Sequence, residues 1–379
     1  MLSANGIVTA RGGALSHAAV VSRALDKPCI VGCEAISVDL DHRSFAIGGR
    51  TFPEGTMVSI DGAEGKVYEG SVPIRAAASQ DAALQRFLTM ADGLSEAEIW
   101  LAPRGDAEVG QAGASTSDGT GLLSLTDLVM ARGSIEDFTR AISLAAQQPE
   151  REAVFGTVRS IVRDACRHLI ETVGSGPIHL RLPQLRSERA RDLIADWEDI
   201  PASQFLPLGN RPLNRAMLQG IAEACDAGNA ERVVVFVGGL TGLMEFEAFR
   251  GDVTAATSLR TGLLVQNAIL LARLAESGAE GLPIWLDPNE IIRTAYGYPM
   301  HVMQMPSVLD DYCRQGLLRA NPFRNPAESL GSALEAIGAH RGSAVGILGS
   351  GGIDDELLAR LYRAGYRRFS SSPGAAGRT

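Results

Sequence analysis

Gly6-Ile-Val-Thr-Ala-Arg-Gly-Gly-Ala-Leu-Ser-His17-Ala-Ala-Val-Val-Ser-Arg23 sets one histidine directly after a Gly-Gly turn and at the start of a helical run. An imidazole is a nucleophile near neutral pH. The N–H groups of a helix start, with the positive end of its dipole, stabilise an anion. Gly12 and Gly13 carry no Cβ, so the backbone can pass close to such a group. From these residues alone two readings stand. His17 is a phosphoryl-carrying residue, with Gly12, Gly13 and Ser16 around the phosphate, or it is an ordinary residue at a helix start capped by Ser16.

Working outward, Ile7-Val-Thr reads as a strand and Ser16–Leu25 as a helix. Cys29–Gly32 and Met57–Ile60 read as strands, with Gly65–Tyr68 as the return of a hairpin. Residues 71–85, with Ser71, Pro73 and an Ala-rich stretch, read as a linker. From residue 86 onward apolar strands alternate with helices. The strands are Glu98–Leu101, Gly121–Leu123, Ile178–Leu182, Arg232–Val237, Thr261–Leu264, Pro283–Leu286, Ala344–Leu348 and Arg367–Ser370. Helices are read at Ser134–Ala146, Phe155–Thr172, Arg215–Ala227, Val265–Ala275 and Asp354–Ala364. Eight alternations indicate an α/β chain ending in a (β/α)8 barrel. A doubly wound open sheet is the other reading, because alternation does not reveal closure.

The 379 residues are enough for two or three domains. The formal net charge of −9 disfavours nucleic acid or an anionic membrane as partner. An anionic ligand would need a local cluster of arginines, since Lys27 and Lys66 are the only lysines. The five cysteines form no framework, which suits a reduced, cytoplasmic protein. Cys29 and Cys33 have no second ligand pair and are not read as a metal site. No apolar run reaches membrane-spanning length and no signal peptide is read.

The His17 segment, continued through Lys27-Pro-Cys-Ile-Val-Gly32, resembles the phosphohistidine motif of the PEP-utilising enzymes. Glu54-Gly-Thr-Met-Val-Ser-Ile-Asp61-Gly-Ala-Glu-Gly-Lys-Val-Tyr68 resembles the closing strand pair of the same swivelling domain. The resemblance implies that His17 is phosphorylated and that residues 1–72 are the later part of this mobile domain. It also implies a linker over 73–85 and a divergent PEP/pyruvate-binding barrel over 86–379. In the family further strands and an ATP-grasp domain lie upstream, so the chain is expected to be a split subunit, a fragment or part of a longer architecture. Many members have Thr where this chain has Leu15, which offers no hydroxyl.

The resemblance continues weakly along the barrel. Ile178-His-Leu-Arg181 is similar to the strand whose arginine clamps substrate phosphate or carboxylate. Leu208-Gly-Asn-Arg211-Pro is similar to a Leu-Gly-x-Arg segment. Leu286-Asp-Pro-Asn289-Glu290 is similar to the segment whose acid binds magnesium. Asn321-Pro-Phe323 and Gly346-Ile-Leu-Gly-Ser-Gly-Gly352 follow in the family's order. These matches imply Arg181, Arg211 and Asn289 as substrate-binding residues and Glu290 as a ligand of Mg²⁺. From the residues alone, Arg181 could equally be a scaffold ion pair and Glu290 a helix-start residue. Tyr296 and Tyr298 either shape a pocket or pack a loop. His42, His168, His179, His301 and His340 read as surface or packing residues.

Several family groups are absent. The arginine expected in Gly119-Thr-Gly-Leu-Leu-Ser-Leu-Thr-Asp127 is missing, and another is replaced near Trp100. The second magnesium-binding acid falls near Val265 or Gln266, and the proton-donating cysteine falls at Leu348. Leu is not a general acid, and neither Val nor Gln replaces a carboxylate on a hard cation. The expectation is a phosphotransferase component resembling pyruvate phosphate dikinase. It would carry phosphate on His17 between a nucleotide held by a separate ATP-grasp subunit and PEP, pyruvate or a similar small anion. A homodimer through the barrel is implied by resemblance. The alternative is a catalytically impaired paralogue that acts as a binding or regulatory protein.

Overall fold

The computed structural model describes residues 4–11, 18–19, 22, 27–62, 64–73, 86, 90, 93, 96–103, 108–110, 117–147, 152–183, 203, 206–225, 228–276, 281–298, 306–341, 344–349 and 355–371. The chain forms two compact units, Met1–Ser95 and Glu96–Thr379. The greater part of the expected linker, residues 74–85, lies outside the described residues.

In the first unit, β1 (Ile7–Val8) runs parallel to β2 (Cys29–Ile30), with Ile7 opposite Cys29. Parallel neighbours need a crossover, and Ala18, Ala19 and Ser22 between them are helical. Ala19 and Ser22 are buried. Next comes an antiparallel meander, β3 (Ser37–Asp39), β4 (Ser44–Ile47) and β5 (Arg50–Pro53). Gly48 and Gly49 close β4 onto β5 with φ of +59° and +76°, a two-residue turn whose twist matches the strands. The opposed Phe45 and Phe52 rings stack at 5.1 Å. Sequence reading did not find this meander, because β3 is exposed along its whole length and shows no apolar face. The hairpin β6 (Val58–Asp61) and β7 (Lys66–Glu69) lies one residue beyond the expected positions.

The second unit is a sheet of parallel strands. These are β8 (Glu98–Leu101), β9 (Gly119–Ser124), β10 (Ile178–Arg181), β11 (Val233–Phe236), β12 (Arg260–Thr261), β13 (Leu263–Val265), β14 (Ile284–Leu286), β15 (Val345–Leu348) and β16 (Arg368–Ser371). Their order is β12-β11-β10-β9-β8-β16-β15-β14-β13. The two ends, β12 and β13, are halves of one strand interrupted at Gly262. The first half pairs with β11 and the second with β14. The sheet therefore closes on itself, which decides for the (β/α)8 barrel over the open sheet.

Ten helices among the described residues follow these strands. They are α1 (Leu125–Ala131), α2 (Ile135–Gln147), α3 (Glu152–Thr172), α4 (Arg211–Ala224), α5 (Leu243–Ala256), α6 (Ala268–Glu276), α7 (Pro288–Tyr296), α8 (Pro306–Arg314), α9 (Pro326–Arg341) and α10 (Asp355–Arg363). Strand side chains alternate between two surroundings. On β10, Ile178 and Leu180 join the core between strands and helices, with Val158, Val162 and Leu169 of α3.

The alternate residues fill the barrel interior. Trp100, Leu122, Val234, Phe236, Leu264, Trp285 and Leu348 form a separate apolar cluster there. His179 lies among them, with its ring centroid 4.5 Å from that of Trp100 and 5.2 Å from that of Phe236. The large rings fit because glycines sit beside them. A Cβ on Gly346 would come within 2.5 Å of the Trp285 ring, and one on Gly262 within 2.1 Å of the Phe236 ring. Gly119 makes the same room for the Trp100 ring, and Gly121 lets its strand pass close to the Cβ and backbone of His179.

Candidate functional site

His17, Gly12, Gly13 and Ser16 lie outside the described residues. Their described neighbours are in place. Thr9 Oγ1 donates to Arg11 O at 2.8 Å beyond the end of β1. Ala18, which follows His17, is helical, and its carbonyl accepts from Ser22 Oγ at 2.5 Å.

The barrel mouth is built by the residues that end or follow its strands. Arg181 is the last residue of β10. Gln266 follows β13, and Asp287 follows β14 as the N-cap of α7. Gln266 Nε2 donates to Asp287 Oδ2 at 3.2 Å, and Gln266 Oε1 accepts from the Gly239 N–H at 3.0 Å. One carboxamide thus ties the segment after β11 to the ends of β13 and β14. Asp287 Oδ1 accepts from the Glu290 N–H at 3.3 Å, which satisfies an otherwise unpaired donor of the helix start. Burial and then the Glu290 charge push the Asp287 carboxyl up, against the Gln266 hydrogen bond and the Arg181 charge.

Glu290 lies in the first turn of α7, as a carboxylate favoured by the helix dipole would. Its Oε2 accepts from Arg293 Nε at 3.0 Å and Nη2 at 2.8 Å. Asn289 is half-buried beside it. The structure therefore brings together Arg181, Gln266, Asp287 and Glu290, with Asn289 in the same helical turn. The Arg181 guanidinium donates no hydrogen bond to another described residue.

Arg211 is held elsewhere. It opens α4, whose N-cap Asn210 accepts from Leu213 N at 3.0 Å. Its Nε donates to Asp252 Oδ2 of α5 at 2.7 Å and its Nη2 donates to Oδ1, a two-pronged pair. The hydrogen bond and charge of Asp252 raise the Arg211 pKa. Tyr296 and Tyr298 stack with centroids 5.4 Å apart, and Tyr298 leans on Phe323.

Sequence reading missed Asp287 as a site residue. Its position before Pro288 is a helix-start signal that could have found it. His179 is a packing residue rather than a ligand. Trp285 Nε1 donates to its Nδ1 at 2.7 Å, so the ring is neutral with its proton on Nε2. Burial, with the charges of Arg368 and Arg260, lowers its pKa to about 3. Trp100 and Leu348, where the resemblance expects an arginine and a cysteine, belong to the apolar interior cluster. No group of three or more His, Cys, Asp or Glu that could hold a metal comes together among the described residues.

Residues 1–65 match the family model of the PEP-utilising enzyme mobile domain. The whole length of the chain aligns with a relative of the same family: pyruvate, phosphate dikinase of Rhizobium meliloti is 24% identical over 98% of this chain and 46% of that protein. Residues 1–65 belong to the PEP-utilising enzyme mobile-domain family, and the chain as a whole is similar to pyruvate, phosphate dikinases. Within the family, pyruvate, phosphate dikinase of Clostridium symbiosum is 41% identical over 92 residues, 24% of this chain and 10% of that protein. Chloroplastic pyruvate, phosphate dikinase 1 of Arabidopsis thaliana is 29% identical over 55% of this chain and 20% of that protein. The chain spans less than half the length of each of these relatives. The matched mobile-domain segment falls inside the first compact unit, and the barrel is the second. Among the described residues no helix is long and apolar enough to cross a membrane.

Proposed function

We propose that this chain is a phosphotransferase of the pyruvate phosphate dikinase type, with His17 as phosphoryl carrier. The match of residues 1–65 to the mobile-domain family model carries this reading. An unprotonated ring nitrogen of His17 attacks the donor phosphorus. A P–N bond forms, the bond from phosphorus to the leaving oxygen breaks, and that oxygen takes the electron pair. The donor is ATP on a separate ATP-grasp subunit, or PEP. In the second step an acceptor oxygen attacks, and the P–N pair returns to the ring.

Gly12, Gly13 and Ser16 supply close backbone and a hydroxyl to the phosphoryl oxygens. Residues 1–72 act as the carrier domain, 73–85 as its linker and 86–379 as the acceptor barrel. Arg181 holds the anionic group of the acceptor, pyruvate or a related small molecule, and Asn289 orients it. Arg211 could take part only by leaving Asp252. The oxygen donors of Asp287, Asn289 and Glu290 fit the ligand preference of Mg²⁺, which keeps several waters. When bound, Mg²⁺ would neutralise charge on the transferring group. Glu290 would first have to release Arg293, so the site is expected to be weak. The reading includes a cytoplasmic setting and a homodimer through the barrel.

The test is intact mass at neutral pH after incubation with PEP and Mg²⁺, or with ATP and a candidate ATP-grasp partner. One acid-labile phosphoryl adduct is expected, absent from His17→Ala. No adduct with any donor would leave a binding or regulatory role instead.

A further inference from the structure

Helices α3 and α4 pack together along much of their length on the outside of the barrel. They run in the same direction, since α3 leads into β10 and α4 into β11 of the parallel sheet. Gly220 brings the two axes close. A Cβ there would stand 2.6 Å from Arg159 O and 3.0 Å from Val162 Cβ. Glu223 of α4 lies 3.5 Å from Arg159 and 3.9 Å from Arg163 across the same seam. These contacts set the register. One turn beyond Val162 is Cys166, and one turn beyond Gly220 is Ala224, followed by Cys225. Each helix thus brings one cysteine to the far end of the seam.

The two thiols differ in their surroundings. Cys166 is fully buried in the core between strands and helices. Cys225 is half-buried at the C-cap of α4 and packs against the same core, with its Sγ donating to Ile221 O at 3.3 Å. Burial and then the charge of Cys225 push the Cys166 thiol up. The two sulfurs therefore lie within reach of each other's charge, and Cys166 by itself is unreactive. Cys225 is the one that meets an oxidant from solvent. Cys29 and Cys33 lie in the first unit and Cys313 in α8.

We propose that Cys166 and Cys225 are a redox pair that closes into a disulfide under peroxide and staples α3 to α4. A peroxide oxygen bonds to the Cys225 sulfur, the O–O bond breaks and water leaves, which gives a sulfenic acid. The Cys166 sulfur then attacks that sulfur. The S–S bond forms, the S–O bond breaks, and the leaving oxygen takes the Cys166 proton and departs as a second water. Two thiols lose two electrons, and one hydrogen peroxide is reduced to two waters. A thiol reductant reverses the step. Both helices end on the face of the barrel opposite the mouth. The staple therefore acts on the scaffold, by restricting the unfolded chain, and leaves Arg181 and the mouth untouched.

The test is treatment of the full chain with hydrogen peroxide, alkylation of the remaining thiols and digestion at arginine without reductant. Residues 164–167, with Cys166, and residues 216–232, with Cys225, should then run as one species about 2 Da lighter than the two thiol peptides together. Dithiothreitol should separate them, and Cys225→Ser should abolish the species. The oxidised protein should unfold at a higher urea concentration than the reduced one, a shift that Cys225→Ser lacks. Recovery of both peptides unjoined at every peroxide dose overturns the proposal, and so does linkage of either one to a different cysteine. An unchanged urea midpoint in the joined protein overturns the staple. The wild-type peptide map and midpoint decide this if the variant fails to fold. Neither cysteine takes part in the His17 assay, so each result stands without the other.

Discussion

The two faces of the barrel strands are built from the same short segments and obey different rules. The face toward the helices is aliphatic and regular: Ile178, Leu180, Val233, Val235, Val345 and Ile347 are buried in one continuous core. The inner face holds two tryptophans and a phenylalanine, each beside a glycine that makes room for its ring, and a histidine packed among them. At its upper end the inner face turns into the charged rim of Arg181, Asp287 and Glu290. Any aliphatic side chain of suitable size serves the outer face. The inner face is a set of matched pairs, ring against glycine and indole against imidazole. A substitution there disturbs a partner as well as a volume.

Breaking the inner face should cost most. Trp285 is fully buried and donates to His179. Trp285→Ala should destabilise the protein by about 3–5 kcal/mol, measured by denaturant unfolding. A loss below that of an outer-face truncation such as Leu180→Ala would erase the distinction between the faces.

Acid should act on the same pair. The folded pKa of His179, about 3, lies below its ordinary value of 6.5. The unfolded chain therefore binds a proton in a window where the folded barrel does not. This contribution is complete above pH 6.5 and is lost as pH falls toward 3, at roughly 1.4 kcal/mol per unit. The nearby Arg368 and Arg260 charges reinforce the neutral state. His179→Asn, which keeps an acceptor for Trp285, should flatten this part of the stability–pH profile.

Adding one methyl group separates the faces more gently. Gly346→Ala would drive a Cβ into the Trp285 ring and should cost about 1–3 kcal/mol. The adjacent outer-face change Ile347→Val should cost about 0.5–1.5 kcal/mol. The smallest effect is expected in the helical layer. The Arg211 side chain is 57% exposed in its pair with Asp252, so Arg211→Ala should change stability by less than about 1 kcal/mol. It should also leave carboxylate binding at the mouth unchanged, whereas Arg181→Gln weakens it.

The outer faces made the barrel legible from sequence. Each strand is a short aliphatic run between glycine, proline or polar residues, and all eight were located to within two residues. Closure was not legible. It depends on the strand broken at Gly262 reaching both β11 and β14, and periodicity contains no such contact. Helix α5 was missed because Met244 is exposed while Asp252 is buried beneath the exposed Arg211, which blurs its apolar face. At the mouth, motif spacing led to Arg181, Asn289 and Glu290. The Gln266–Asp287 hydrogen bond joins residues on adjacent strands and leaves no mark on either segment alone. The Glu290–Arg293 pair is one helical turn apart, so its spacing could have been read.

The central claim is that His17 carries the phosphoryl group, and peptide-level mass spectrometry tests it most directly. Cleavage after Arg11 and Arg23 releases residues 12–23, which contain Ser16, His17 and Ser22. After incubation with PEP or with ATP and its partner subunit, this peptide should carry one acid-labile phosphoryl group. Fragmentation should place that group on His17. A phosphoryl group on Ser16, Ser22 or another peptide, or none with any donor, would contradict the account.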